Sequence, residues 1–205
     1  MRATTRYAAW NLALETKKAD IIDIGTELFA VKGYNATGID AVLKQAGVPK
    51  GSFYNYFSSK EEFGLAIIDQ FAAQYESKLA SFFDDTSVPP LGRMRNYFEH
   101  SLRHLSENEF TKGCLIGNLG QELADQNERF RARLAEIFHT WKKRFAACLA
   151  EAQEQGSLAL DLDADILAEF TLAAWEGAIL RAKVMKSPQP IVHFIDTLFA
   201  TVLRA

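Results

Sequence analysis

Cys114 and Cys148 are the only thiols in this chain of 205 residues. Two cysteines cannot build a framework of several disulfides, and a reducing compartment is the simpler expectation. No apolar run of roughly 18 residues occurs, so no helical membrane span is expected. The opening MRATTRYAAWNLALE lacks a continuous apolar core and a small-residue cleavage site, so no secretory leader is expected either. Clean period-two alternation bounded by turns is missing, which argues against strands. Internal repeats and low-complexity tracts are absent. So are a nucleophile–base pair, a phosphate-cradling loop and a metal-ligand cluster. The expectation is a cytoplasmic protein that is not an enzyme and uses no cofactor or metal.

What remains is ordinary globular material. Hydrophobic residues make up 48% and charged residues 24%, enough for a sizeable core. The net charge of -3 is unevenly spread. Residues 1–60 hold eight Lys/Arg and five Asp/Glu, a net of +3; residues 61–205 hold fifteen and twenty-one, a net of -6. A basic head on an acidic body suits a nucleic-acid module on a larger domain.

Helical spacing with start and stop signals fills the chain, and the fold class expected is all-α, with about nine helices. Thr16 is read as the cap of a first helix ending at Gly33. Thr37, with Asp40, is read as the capping box of a second. Gly47 stops that helix and Pro49 restarts a third. Ser59 and Glu62 open a long fourth helix towards Phe83. Later helices are expected up to about Glu107, through GCLIGNLGQELAD, from about Asn127 to Gln155, over 163–185, and from Pro188 onwards.

The pair joined by AGVP fits a helix-turn-helix plan. At about 100° per residue, Phe53 and Phe57 share one side of the third helix, and Gly51, Ser52, Tyr54 and Asn55 take the other. A slender polar face is what a helix needs to enter a major groove about 12 Å wide. Lys50 can reach a base edge or phosphate, Tyr54 and Tyr56 end in hydroxyls that suit phosphate, and Asn55 can pair with adenine. Ser52 suits either. Thr37 and Lys60 sit at helix starts, where phosphates are attracted.

From Thr16 to Phe63 the chain resembles the DNA-binding domain of TetR-family transcriptional regulators. The matching features include Leu28-Phe29-Ala30, Lys32-Gly33-Tyr34, Ala46-Gly47-Val48, Lys50-Gly51-Ser52, Tyr56-Phe57 and Ser59-Lys60-Glu61-Glu62-Phe63. The resemblance implies an all-α homodimer that reads a pseudo-palindromic double-stranded operator and releases it when a small-molecule inducer binds the C-terminal domain. It carries DNA contacts to Thr37, Lys50, Ser52, Tyr54, Asn55, Tyr56 and Lys60. Gly38 departs from it, because Ser or Thr often stands there. The domains expected are an extension over 1–15, the DNA-binding domain over 16–62 and a ligand-binding and dimerisation domain over 63–205. Arg2 and Arg6 are either an arm for the minor groove or part of a disordered tail.

In the body, Gly113-Cys114-Leu115-Ile116-Gly117-Asn118 looks like a subgroup of these regulators, some of which respond to reactive or unsaturated molecules. Cys114 lies at a helix start near Lys112, and both features are expected to lower a thiol's pKa. It is read either as an electrophile sensor or as a small packed residue; Cys148 is read as core. Trp141, Phe145 and Trp175 are either pocket walls or plain core. His104, Cys114, Asn118, Trp141, Phe145 and Trp175 form the candidate ligand set. His100 and His104 have a metal-pair spacing but no third ligand. Phe170, Ala173, Gly177, Leu180, Val184, Phe194 and Leu198 are the candidate dimer face. The rival readings are an all-α small-molecule enzyme with a degenerate head, and a regulator acting through a protein partner.

Overall fold

A computed structural model of the chain describes the backbone of residues 2–204 and the side chains of residues 15–204. Among the described residues there are eight α-helices, one 3-10 helix and no strand. The α-helices are α1 (Arg2–Lys32), α2 (Ile39–Ala46), α3 (Lys60–Phe83), α4 (Pro90–Glu107), α5 (Leu115–Leu123), α6 (Glu128–Glu154), α7 (Ala164–Met185) and α8 (Gln189–Thr197). The 3-10 helix is Lys50–Asn55, and a π-turn over Leu198–Val202 follows α8. The all-α expectation holds. The chain divides into two compact units, 1–71 and 72–205.

The helix ends follow from local chemistry. Asn127 accepts the Arg129 and Phe130 N–H groups at the start of α6, at 2.9 and 3.1 Å. Asp163 does the same for Asp165 and Ile166 at α7. Each side chain satisfies N–H groups that a helix start leaves orphaned. Ser59 accepts the Glu62 N–H at 3.1 Å, as the capping-box pattern requires. Gly47 ends α2 at φ 63, a left-handed position that suits glycine.

Three local expectations need correction. Thr16 lies inside α1, because the helix runs unbroken from Arg2; the side chains of Arg2 and Arg6 lie outside the described residues. Thr37 does not cap α2. Its hydroxyl donates back to the Gly33 carbonyl at 2.7 Å, and Gly38 takes the cap position with no side chain to offer. The third helix is six residues of 3-10 rather than an α-helix. KGSFYN contains Gly, Ser and Asn, weak helix formers, and is too short for α-helical cooperativity.

In the first unit, Phe29, Phe53, Phe57 and Phe63 meet with ring centroids 4.9–5.8 Å apart. Gly25 lets α3 approach α1 closely, since an added Cβ would overlap Phe63 and Ile67. In the second unit, α4, α6, α7 and α8 enclose an aromatic core of Tyr97, Phe98, Phe145 and Trp175. Arg93 is buried within it. Its guanidinium makes a two-pronged pair with Glu151, at 2.7 and 2.9 Å, and also donates to the Val88 and Phe83 carbonyls.

Candidate functional site

The 3-10 helix carries most of the residues expected to contact DNA. Phe53 and Phe57 are buried, while Tyr54 is 70% exposed and Lys50, Gly51 and Asn55 also face solvent. Ser52, Tyr56 and Lys60 are half-buried. The inward and outward assignment thus survives the change from α to 3-10. Phe53 anchors it, because both the Tyr56 and the Phe57 N–H donate to its carbonyl, at 2.9 and 3.0 Å. Tyr54 packs edge-on against the Phe53 ring. Lys50 Nζ lies 2.7 Å from Asp40 Oδ2 on α2, and that contact raises the lysine's pKa. Lys60 places its ammonium 4.4 Å from the centre of the Tyr34 ring, beside the Asn35 carbonyl. Thr37 is buried, so its part in the surface is to shape the turn before α2.

The body assembles a second constellation. Trp141, Phe145, Trp175 and Cys114 are buried. Tyr75 on α3 packs tilted against Trp141, with centroids 4.4 Å apart, and its hydroxyl forms a short hydrogen bond with that of Tyr97. Burial drives the Tyr75 and Tyr97 hydroxyls upward in pKa, so both stay protonated. Cys114 caps α5, its sulfur accepting the Gly117 N–H at 3.4 Å. Asn118 is half-buried and donates to the Lys112 carbonyl at 2.8 Å. His104, by contrast, is exposed on α4.

The expected lowering of the Cys114 pKa is reversed. Burial pushes the thiol well above its ordinary value, and the Glu176 carboxylate beside it pushes the same way. The helix-start N–H groups of Gly117 and Ile116 oppose this without prevailing. Cys148 is core as expected; it donates to the Pro90 carbonyl, and burial holds it at about 12.

Glu176 was missed from sequence, although it carries the one charge in Phe170–Leu180, FTLAAWEGAIL. Its carboxylate lies against Gly117, where an added Cβ would collide with it. Burial raises its pKa to about 7. Glu176, Cys114, Gly117, Asn118 and Lys183 line a cleft of about 10 Å³, room for roughly one water. Thr171 Oγ1, on the same helix, is buried without a hydrogen-bond partner, whereas the Trp175 indole N–H is directed at the Tyr97 hydroxyl. No group of three His, Cys, Asp or Glu among the described residues is placed to hold a metal.

A different surface lies on α7. Phe170, Leu180 and Val184 are large exposed apolar groups, and Ala173 and Gly177 between them are exposed as well. Their spacing of three and four puts them on one stripe. An apolar groove of about 530 Å³ runs beside it, lined by Phe170, Gly177 and Met185 of α7 and by Phe194 and Leu198. Phe194 is half-buried and Leu198 buried.

Residues 21–67 match the family model described as bacterial regulatory proteins, tetR family, and residues 90–198 match the tetracyclin repressor-like C-terminal domain. The chain is 39% identical over 183 residues to the HTH-type transcriptional repressor DhaR of Mycobacterium sp. (strain GP1), covering 89% of this chain and 90% of that one. It is 43% identical over 177 residues to the transcriptional regulator AcuR of Cereibacter sphaeroides, covering 86% and 81%. The crystal structure of a regulatory protein TetR from Rhodobacter sphaeroides superposes with a TM-score of 0.84 at 42% identity, covering 87% of this chain and 95% of that one.

Proposed function

The chain belongs to the TetR family of bacterial regulatory proteins, and we propose that it is a homodimeric repressor released from a pseudo-palindromic operator by a small-molecule inducer. One observation carries the reading. The 3-10 helix turns Lys50, Tyr54 and Asn55 outward over a buried Phe53/Phe57 anchor, in the register of the family's reading helix. Ser52, Tyr56 and Lys60 flank them. Gly38 leaves the first N–H groups of α2 without a side-chain cap, open to a phosphate oxygen. In this reading residues 16–62 are the reading head, after an extension over 1–15, and residues 63–205 are the sensing and dimerisation domain.

Dimerisation uses the α7 stripe, Phe170, Ala173, Gly177, Leu180 and Val184, with Phe194 and Leu198 at the groove. An exposed apolar patch on this scale marks an interface. A two-fold pairing brings α7 and α8 of each copy into a four-helix contact. Two heads roughly one DNA turn apart, about 34–36 Å, then engage two half-sites.

The inducer site is the buried cluster around Tyr75, Tyr97, Cys114, Trp141, Phe145, Trp175 and Glu176, with Asn118 at its cleft. The grouping of these aromatic rings with the Cys114 thiol and the Glu176 carboxylate supports this. Cys114 is the sensing group, as in the family subgroup with the Gly-Cys-Leu-x-Gly-Asn segment. Helix α3 holds Phe63 in the head core and Tyr75 in the sensing cluster, so a shift of α3 on inducer binding changes the spacing of the heads. The test is selection of bound fragments from sheared host DNA followed by footprinting. A two-fold protected site that electrophiles release in wild type, but not in Cys114→Ser, is expected. Protection of one asymmetric half-site, or release unaffected by Cys114→Ser, contradicts it.

A further inference from the structure

The sensing thiol has an unsolved problem. Cys114 is buried and its proton is held tightly, so the helix start alone does not supply a thiolate. Glu176 answers it by position. Its carboxylate lies against Gly117, one turn into the helix that Cys114 caps, and both residues line the same cleft. Glu176 is half-buried, no salt bridge to it is found among the described side chains, and its hydrogen-bond neighbour is the Cys114 thiol. The Tyr97 hydroxyl lies within electrostatic reach of both Cys114 and Glu176, and the Trp175 N–H, 1% exposed, is directed at it.

We propose that Glu176 is the base that takes the Cys114 proton, and that the pair is a covalent site for small, slender α,β-unsaturated carbonyl compounds. The inference rests on the reading of Cys114 as the sensing thiol. The step balances within the pair. The thiol proton passes to the Glu176 carboxylate as the sulfur electron pair bonds to the β-carbon. The C=C π pair moves to the α-carbon, and the Glu176 carboxyl returns the proton there. No oxidant, reductant or leaving group is needed, and Glu176 ends as it began. The cleft as it stands holds about one water, so only the smallest of such compounds is expected to reach the thiol, as the cleft opens.

The groups facing Glu176 are few. They are Cys114 at the start of α5, Tyr75 on α3, Tyr97 on α4, and Lys183 in the same cleft on α7. The two phenols are pushed upward and stay protonated. Lys183 is pushed downward by burial while donating to the Lys112 carbonyl at 3.2 Å. Glu176, near 7, matches a base working at neutral pH.

Removing the carboxylate separates two roles by sign. As a mere neighbouring charge, Glu176 holds the thiol pKa up, so Glu176→Gln speeds alkylation. As the base, its loss slows alkylation. The experiment is alkylation of the full-length protein by methyl vinyl ketone from pH 5.5 to 8.5, with peptide mapping to assign the adduct. Wild type is expected to label at Cys114 with a rate that rises through an inflexion near pH 7. Glu176→Gln is expected to lose the inflexion and react roughly a hundred-fold more slowly at pH 8. Glu176→Asp, which keeps the carboxyl, is expected to keep the inflexion at a reduced rate, and it decides the matter if Glu176→Gln does not fold. An equal or faster rate in Glu176→Gln, or an Asp variant without an inflexion, overturns the proposal. Wild type that never labels at Cys114 overturns the sensing-thiol reading itself, and this inference with it.

Discussion

The ammonium of Lys50 on the 3-10 helix lies 2.7 Å from the carboxylate of Asp40 on α2, with both side chains open to solvent. An exposed pair like this adds little to stability. Its consequence is for DNA, because a lysine held by a carboxylate is not free for a phosphate or a guanine edge. Asp40→Asn is therefore expected to bind the operator more tightly, with the salt slope of log K steeper by about one. Fluorescence anisotropy at several salt concentrations checks this. An unchanged slope and affinity would show that Lys50 contributes nothing there.

Arg93 gives a stability prediction. Its two-pronged pair with Glu151 ties α4 to α6, and its other bonds hold the end of α3 and the turn before α4. Truncating one partner strands the remaining buried groups. Arg93→Ala is expected to cost about 3–5 kcal/mol in denaturant unfolding. Glu151→Gln, at the more exposed end, should cost less. A loss under about 1 kcal/mol for Arg93→Ala would mean that water replaces the pair.

The α7 stripe predicts assembly. Leu180→Glu places a charge in the middle of the proposed two-fold contact, where pairing would desolvate it. The variant is expected to sediment as a monomer at concentrations where wild type is a dimer, and to lose operator binding with it. A dimeric Leu180→Glu would move the interface elsewhere.

Glu176 also leaves a signature in stability against pH. Its folded pKa, about 7, lies above the ordinary 4.5. Between those values the folded chain keeps a proton that the unfolded chain has released. The carboxyl's contribution is thus fully present below pH 4.5 and is lost as pH rises through 7. Glu176→Gln removes that loss. It is expected to raise stability relative to wild type at pH 8, by an amount on the order of 3 kcal/mol, and to change little at pH 4.5. Parallel pH profiles for the two proteins would contradict the burial of this charge.

What the sequence disclosed was local. Apolar residues at helical spacing located the helices, and Asn127, Asp163 and Gly47 marked ends where a single side chain or backbone angle decides the matter. Phe53 and Phe57 were legible as anchors because two large aromatics four apart share a side of an α-helix. In a 3-10 helix they would diverge by about 120°, but Phe57 lies beyond its end at Asn55 and still turns inward. The choice of Gly38 over Thr37 as cap was not legible, since it depends on the Gly33 carbonyl claiming the Thr37 hydroxyl. The proposed sensing cluster was half visible. Trp141, Phe145, Trp175 and Cys114 stood out by type, whereas Tyr75, Tyr97 and Glu176 gain meaning only from partners on other helices. The Cys114 pKa was misjudged for the same reason. A helix start is readable in the chain, but burial and the Glu176 carboxylate arrive through tertiary packing.

The central claim is that the exposed face of the 3-10 helix reads DNA. The most direct measurement is the affinity and salt slope of Lys50→Ala/Tyr54→Phe on the selected operator, beside wild type. Both side chains are exposed, so the double variant should unfold at the wild-type midpoint. The account predicts a loss of at least tenfold in affinity, about 1.4 kcal/mol or more, and a flatter salt slope. Wild-type affinity and slope in a folded double variant would contradict it.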